Sequence, residues 1–385
     1  MPFNNRSTGG LSPADRALLD SLSDTSEIEQ QLADKITVSD AFATYLPRVS
    51  AENSIMAASG GNMRLIWDNE DKPSYMYRVP LGLNGDVGLP GGDTVHPAFI
   101  VNGTTIREFW VGAFQASLDS GKAYSIPGVD PAAGINFDNS FNACTSKGAG
   151  WHMMSNAEWG YIQAWCMANG FQPRGNTNWG RAYDRVLETG TRPENINPGV
   201  GSGHGRTLTG SGPHTWQHNG MEFGIADLVG NVWEWCSGMR LVDGEIQIIP
   251  NNDAAAGVDN TASSTLWKAI LADGSLVAPG TTGTLKFNGN GDLVDTITST
   301  ASSSKVYQSL TSTINVPAIL NQLVLFPSGQ DHVGRFYWNN SGERLPIRGG
   351  SRGVAAGAGL SALHLNGGRS YVGAYIGFRP AFVDL

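Results

Sequence analysis

Between residues 63 and 111, apolar and polar residues alternate in short runs: Arg64-Leu-Ile-Trp, Tyr75-Met-Tyr-Arg-Val and Phe109-Trp-Val. Gly- and Asn-rich turns separate them, so each run predicts a short strand. The period then changes. Trp159, Ile162 and Cys166 recur at helical spacing behind Ser155-Asn-Ala-Glu158, a capping box, and Asn169-Gly170 closes the pattern. This predicts a helix with one apolar stripe. Residues 173–222 are rich in Gly, Thr and Asn with little periodicity, which predicts long ordered loops. Beyond them, Asp243-Gly-Glu-Ile-Gln-Ile-Ile, Gly283-Thr-Leu-Lys-Phe-Asn-Gly and Asn321-Gln-Leu-Val-Leu-Phe alternate with Ser/Thr-rich connectors, the pattern of a small β-rich insertion. Near the start, Ser12-Pro13-Ala14-Asp15 is a helix start, followed by a short apolar stripe at Leu11, Leu18, Leu22, Leu32 and Ile36. That stripe fits either an amphipathic helix packed on its own domain or a short oligomerisation coil.

Composition narrows the class. The chain has 385 residues, 40% of them hydrophobic, with 50 Gly and 11 Trp. These values predict a globular, loop-rich fold pinned by large aromatics. A net charge of −9 argues against nucleic acid or an anionic membrane as partner, since both need clustered Lys and Arg. Cys144, Cys166 and Cys236 fit no zinc spacing and are expected to be buried free thiols. The start of the chain lacks an apolar signal region and no run is long enough to span a bilayer. The expectation is therefore no export by a signal peptide, so that work outside a cell would need another route such as lysis, and no membrane insertion.

Candidate chemistry is sparse. Gly199-Val-Gly-Ser-Gly-His-Gly205 lacks the strand–helix frame of a nucleotide loop, and His214 and His218 lie in a Gly/Pro-containing loop without a third ligand beside them. Asp227-Leu-Val-Gly-Asn-Val-Trp-Glu-Trp235 is a dense polar–aromatic block. Asp227, Asn231, Trp233, Glu234 and Trp235 read mainly as scaffold, with structural calcium on Asp227, Asn231 and Glu234 as the alternative. The closing segment is different again. Leu345-Pro-Ile-Arg-Gly-Gly-Ser and Ile376-Gly-Phe-Arg enclose small residues with isolated Arg, His and Tyr. No Cys, Asp, Glu or Lys lies between Gly349 and Gly377. Such a segment is suited to displaying side chains rather than to running a reaction.

Several of these motifs, in order, resemble the formylglycine-generating-enzyme branch of the C-type lectin fold. They are Phe109-Trp-Val-Gly-Ala-Phe-Gln115, Met154-Ser-Asn-Ala-Glu-Trp-Gly-Tyr, Gly224-Ile-Ala-Asp-Leu-Val-Gly-Asn-Val-Trp-Glu-Trp and Arg348-Gly-Gly-Ser…Gly377-Phe-Arg, covering roughly residues 95–240 and 345–385. The enzymes of that branch carry a cysteine pair just after the Gly-Gly-Ser motif. Here the last cysteine is Cys236, and thiol chemistry needs a thiol.

A second branch of the same fold is similar in that segment: the variable proteins of diversity-generating retroelements. In those proteins adenine mutagenesis of Asn codons yields residue sets that exclude Lys, Glu, Gln, Met and Trp. All five types are absent from residues 349–377. The resemblance implies variable, ligand-binding positions at Gly353, Val354, Gly357, His364, Asn366, Gly367, Tyr371, Gly373 and Tyr375. Arg352 stands where the family often has Trp and is counted with them. Arg348, Gly349, Gly350, Gly377 and Arg379 form the implied frame.

The implied fold class is α+β: a C-type lectin-like domain of the formylglycine-generating-enzyme type with a β-rich insertion and an N-terminal helical segment. The expected organisation is an N-terminal helical segment for attachment or oligomerisation (1–52), a β-containing connector (53–95), the lectin-like core (96–240), the insertion (241–344) and the variable C-terminal part (345–385). Lys35-Ile-Thr-Val-Ser-Asp-Ala-Phe-Ala-Thr-Tyr-Leu-Pro47 resembles linker repeats of phage tail fibres. With it, the resemblance implies a non-enzymatic receptor-binding protein at a virion tail-fibre tip. Such a protein would adsorb to a host cell-surface receptor, protein or glycan, as a homotrimer joined to tail or baseplate proteins by its N-terminus. The alternatives are an oxidoreductase or remnant of the enzyme branch, a bacterial diversified surface protein, and a purely structural scaffold. No cofactor is expected beyond the possible calcium.

Overall fold

The structure is a computed structural model and describes residues 46–385. The helix start at Ser12, its apolar stripe and the linker through residue 45 lie outside the described residues.

The chain divides into two compact units, Met1–Leu65 and Ile66–Leu385. In the first, a helix spans Leu46–Ala58, so the boundary expected at residue 52 falls inside it. The helix ends in a turn in which the Ser59 hydroxyl oxygen accepts the Met63 N–H at 2.9 Å, and Arg64 pairs with Glu52 at 3.0 Å.

The second unit is a mixed α/β structure, mostly β, built on three main sheets. In one of them, strand Pro73–Pro80 pairs antiparallel with Glu108–Gly112, which pairs with Pro380–Phe382, itself paired with Trp151–Met153. Residues expected as a connector thus lie in one sheet with the C-terminal strand. The Ser155/Glu158 capping box forms, and Asn156–Ala168 is helical. Its burial is broader than one stripe, because every residue from Asn156 to Ala164 is buried. The polar ones have partners: Asn156 donates to Leu323 O at 2.9 Å, Glu158 meets His152 Nε2 at 2.8 Å, and Gln163 donates to Ser361 Oγ at 2.6 Å. Satisfied hydrogen bonds let polar residues sit inside a core. Two further elements escaped the sequence pattern: the helix Phe137–Thr145 and the hairpin Ala116–Asp119/Lys122–Ser125.

Segment 241–344 supplies most of one sheet and two strands of another. Its first part contributes Glu245–Ile248, Lys268–Ile270 and Leu276–Val277 to a sheet that also holds Met239–Val242 and Glu343–Arg344. Its second part supplies Ser302–Val306 and Arg335–Asn339 to a six-stranded sheet. The order of that sheet is 302–306, 335–339, 363–365, 347–348, 233–235, 376–378. Asn321-Gln-Leu-Val-Leu-Phe is not a strand. A short helix, Ala318–Gln322, precedes a turn with Val324 at φ +50°, and the Leu323 and Val324 carbonyls accept hydrogen bonds from Arg348 rather than from a neighbouring strand.

Candidate functional site

The six-stranded sheet presents residues 349–375 as two connections, one from Ile347–Arg348 to Leu363–Leu365 and the next on to Ile376–Phe378. Both rest on a buried polar frame. The Arg379 guanidinium and the Glu234 carboxylate form a bidentate pair at 2.9 and 2.7 Å, with side-chain exposures of 0% and 2%. Arg379 also donates to Gly112 O and Ala226 O, and Glu234 accepts from Gln115 at 3.0 Å. Arg348, fully buried, donates to Asn156 Oδ1 at 2.6 Å and to Val324 O at 2.9 Å. Asn231 lies at φ +61°, and its side chain joins Gln115, Asn176 and Thr207. Asp227 accepts the Gly210 N–H at 2.8 Å, and burial pushes its carboxyl up to about 6. Trp235 donates to Ile135 O and packs edge-on against Phe137, while Trp233 lies beneath His364 and Tyr337.

These contacts bear on the calcium alternative, since oxygens of Asp227, Asn231 and Glu234 already accept hydrogen bonds from protein donors. No group of three or more His, Cys, Asp or Glu among the described residues is arranged to hold a metal ion. His218 is buried between Tyr77 and Trp165, and its Nδ1 accepts the Ile225 N–H at 2.8 Å. All three cysteines are free and buried, and burial pushes their thiols up, away from the reactive thiolate.

Over the frame, the positions marked by the resemblance come together. The Tyr371 and Tyr375 hydroxyls are 2.5 Å apart; desolvation, then this hydrogen bond, pushes the Tyr371 phenol up to about 12. The Arg352 guanidinium lies over the Tyr375 ring, 5.9 Å from its centroid. Val354 packs against the same apolar cluster as Tyr371 and Tyr375. His364 stands half-buried on the Leu363–Leu365 strand, its ring 5.4 Å from Trp233 and 5.1 Å from Tyr337, and burial lowers its imidazole to about 4. Asn366 is half-buried, with its N–H directed at His364 Nδ1.

The four glycines among these positions differ in the room they have. A Cβ on exposed Gly353 would meet only Trp179 Nε1, at 3.8 Å. On buried Gly357 it would come within 2.7 Å of the Tyr337 hydroxyl and of Val354, and on buried Gly367 within 2.8 Å of the Tyr371 ring. Gly373 is intermediate, with the Tyr375 ring 3.0 Å away. Gly353→Tyr should therefore leave thermal stability nearly unchanged, whereas Gly357→Tyr should cost about 1–3 kcal/mol through overpacking, measured by denaturant titration. Natural copies of the gene, sequenced at this segment, should show large residues at 353 and only small ones at 357.

Several participants were not singled out from the sequence. Trp179, from the 173–222 loop, holds φ +51°; its backbone N–H donates to Arg352 O at 2.7 Å and its ring lies 5.4 Å from the Arg352 guanidinium. Arg206 joins Asp130 to Ala374 O, and Arg369 joins Glu343 to Asp138. Tyr337 comes from the segment expected as an insertion. Long loops without periodicity conceal such contacts; the Trp in a Gly/Asn-rich stretch was the one available signal.

No protein-family model matches the chain, and no curated protein matches it by sequence. Among solved structures it is similar to PvdO from Pseudomonas aeruginosa (15% identity, 83% of this chain and 97% of that one, TM-score 0.31). It is also similar to Treponema denticola variable protein 1 (11%, 83% and 98%, TM-score 0.31) and to the Major Tropism Determinant U1 variant (12%, 80% and 62%, TM-score 0.28).

Proposed function

We propose that this chain is a ligand-binding protein of C-type lectin-like fold, displaying a retroelement-diversified C-terminal surface rather than running a reaction. The observation that carries this reading is the division of labour around the six-stranded sheet. Arg348, Glu234 and Arg379 are buried and tied into internal hydrogen bonds. Arg352, Tyr371 and Tyr375, by contrast, meet on a half-buried face above them. Binding surfaces need rigid support beneath replaceable contact residues, and Arg and Tyr are the side chains that most often anchor interfaces. The residue types missing from 349–377 include the five that the diversification mechanism does not produce.

The partner in this reading is a host cell-surface receptor. The N-terminal segment joins the protein to a phage tail or baseplate, and a homotrimer at the tail-fibre tip raises the effective affinity of weak single sites. A bacterial surface protein of the same diversified kind is the second setting for the same surface.

Replacing Tyr371 and Tyr375 together with Ala tests it. If each phenol is an interface anchor worth about 2 kcal/mol, adsorption to host cells should fall on the order of a thousandfold. Circular dichroism should stay unchanged, since both rings are half-exposed. Undiminished adsorption by the folded double variant would show that this face is not the binding surface.

A further inference from the structure

The guanidinium groups around the candidate surface are not equivalent. Arg206 is paired with Asp130 at 2.6 Å and Arg369 with Glu343 and Asp138 at 2.9 and 2.8 Å. Arg192 faces Glu194 at 3.4 Å, and that carboxylate also takes backbone N–H groups of His204 and Gly205. Arg352 differs from these three: its Nε is buried and has no hydrogen-bond partner, and among the described residues no carboxylate pairs with its guanidinium. Trp179 and Tyr375 contribute ring faces at 5.4 and 5.9 Å, which orient a guanidinium without satisfying its N–H donors. Beside it, Gly353 leaves open space in front of the Trp179 indole nitrogen.

A buried, unpaired charged donor is costly unless an acceptor reaches it. An oxyanion accepting from the Arg352 fork removes that cost, and planar bidentate pairing makes a carboxylate the best-fitting group. The surroundings favour a sugar over an acidic peptide as its carrier. Leu363–Leu365 is an interior strand, paired on both sides. On the free side of Ile376–Phe378, the Ile376 carbonyl already accepts the Gly134 N–H, and Ala132 O lies where a Gly377 Cβ would be. Beside Arg352 and Tyr375 a peptide strand therefore has no open backbone edge to extend; the sheet's other edge, Ser302–Val306, lies at its far end. What the face offers instead is aromatic rings and two phenol hydroxyls, groups suited to the C–H face and hydroxyl rim of a pyranose.

We infer that the Arg352–Trp179–Tyr375 cluster binds the carboxylate of an acidic sugar. The inference rests on the binding-surface reading and specifies the chemistry of its ligand. The test titrates the full chain with methyl glucuronide, methyl glucoside and N-acetylglutamate at low ionic strength, followed by saturation-transfer NMR. Methyl glucuronide should bind at least on the order of tenfold more tightly than the other two. Arg352→Ala should abolish that preference, Arg352→Lys should restore part of it, and Trp179→Phe, which removes the indole N–H, should weaken it.

Absence of glucuronide binding, or binding unaffected by Arg352→Ala, overturns the inference. Equal or tighter binding of N-acetylglutamate overturns the sugar assignment in favour of an acidic peptide. Host-cell adsorption of the Tyr371/Tyr375 double variant separates the two failures. If adsorption is lost while glucuronide never binds, the surface stands and the ligand class falls; if adsorption is intact, the surface reading itself falls.

Discussion

Glu234→Gln is expected to cost about 3–5 kcal/mol of folding stability, because it leaves Arg379 charged in the core without its counter-ion. Both side chains are almost completely excluded from solvent, and their pair is bidentate. The remaining Arg379 donors already point at Gly112 O and Ala226 O, so the side chain cannot reach water without breaking those bonds. The pair also joins three parts of the chain: the Trp233–Trp235 strand, the start of the Pro380–Phe382 strand and, through Gln115, the residues after Glu108–Gly112. A loss of this size is comparable to the total stability of many domains, so poor expression or a large drop in denaturation midpoint is the expected readout. A loss below about 1 kcal/mol, the range of exposed pairs, would show that the pair is solvated. Glu234→Gln with Arg379→Met should recover part of the loss, because removing both charges leaves no unpaired ion.

The second large effect is expected at Gly349, where the fixed strand hands over to the displayed segment. Its φ of +87° favours glycine, and a Cβ there would lie 2.3 Å from the Leu228 carbonyl oxygen and 3.1 Å from the Trp159 ring. Backbone strain and overpacking of about 1–3 kcal/mol each should together make Gly349→Ala several kcal/mol less stable. The two consequences can be read separately. Thermal unfolding reports the stability loss. Host-cell adsorption, measured below the new midpoint, reports whether displacement of the loop carrying Arg352 and Gly353 disturbs the surface. A Gly353→Ala control meets only Trp179 Nε1 at 3.8 Å and should change neither.

Local elements with a mechanism in their own residues were legible. The Ser155/Glu158 box, the Asn169-Gly170 stop and the runs at Tyr75 and Phe109 all correspond to observed elements, because caps, turns and alternation act within a few residues. The hairpin at Ser120-Gly121 was missed although its turn chemistry is local: Ser120 and Gly121 both take positive φ, and Asp119 and Lys122 flank them. The Asn321–Phe326 run, whose pattern predicts a strand, is not one. Leu323, Val324 and Leu325 are buried, but the Leu323 and Val324 carbonyls face Arg348, and no local pattern signals an acceptor needed 24 residues further on.

The same distinction governs the candidate surface. By itself the sequence determined which residue types occupy 349–377, that no thiol follows the Gly-Gly-Ser motif, and that an Arg-Gly-Gly and a Gly-Phe-Arg frame enclose small residues and a few Arg, His and Tyr. Composition and local motifs carry that information without any folding. Only the tertiary structure decided that Trp179, from a loop far away in the chain, faces Arg352, and that Tyr337 backs His364. It also decided that Gly353 is open while Gly357 and Gly367 are closed, and that Arg352, unlike Arg192, Arg206 and Arg369, pairs with no carboxylate among the described residues. Each of these depends on which strands become neighbours. Pairing between distant segments is set by burial of the whole core, so local residue order does not encode it.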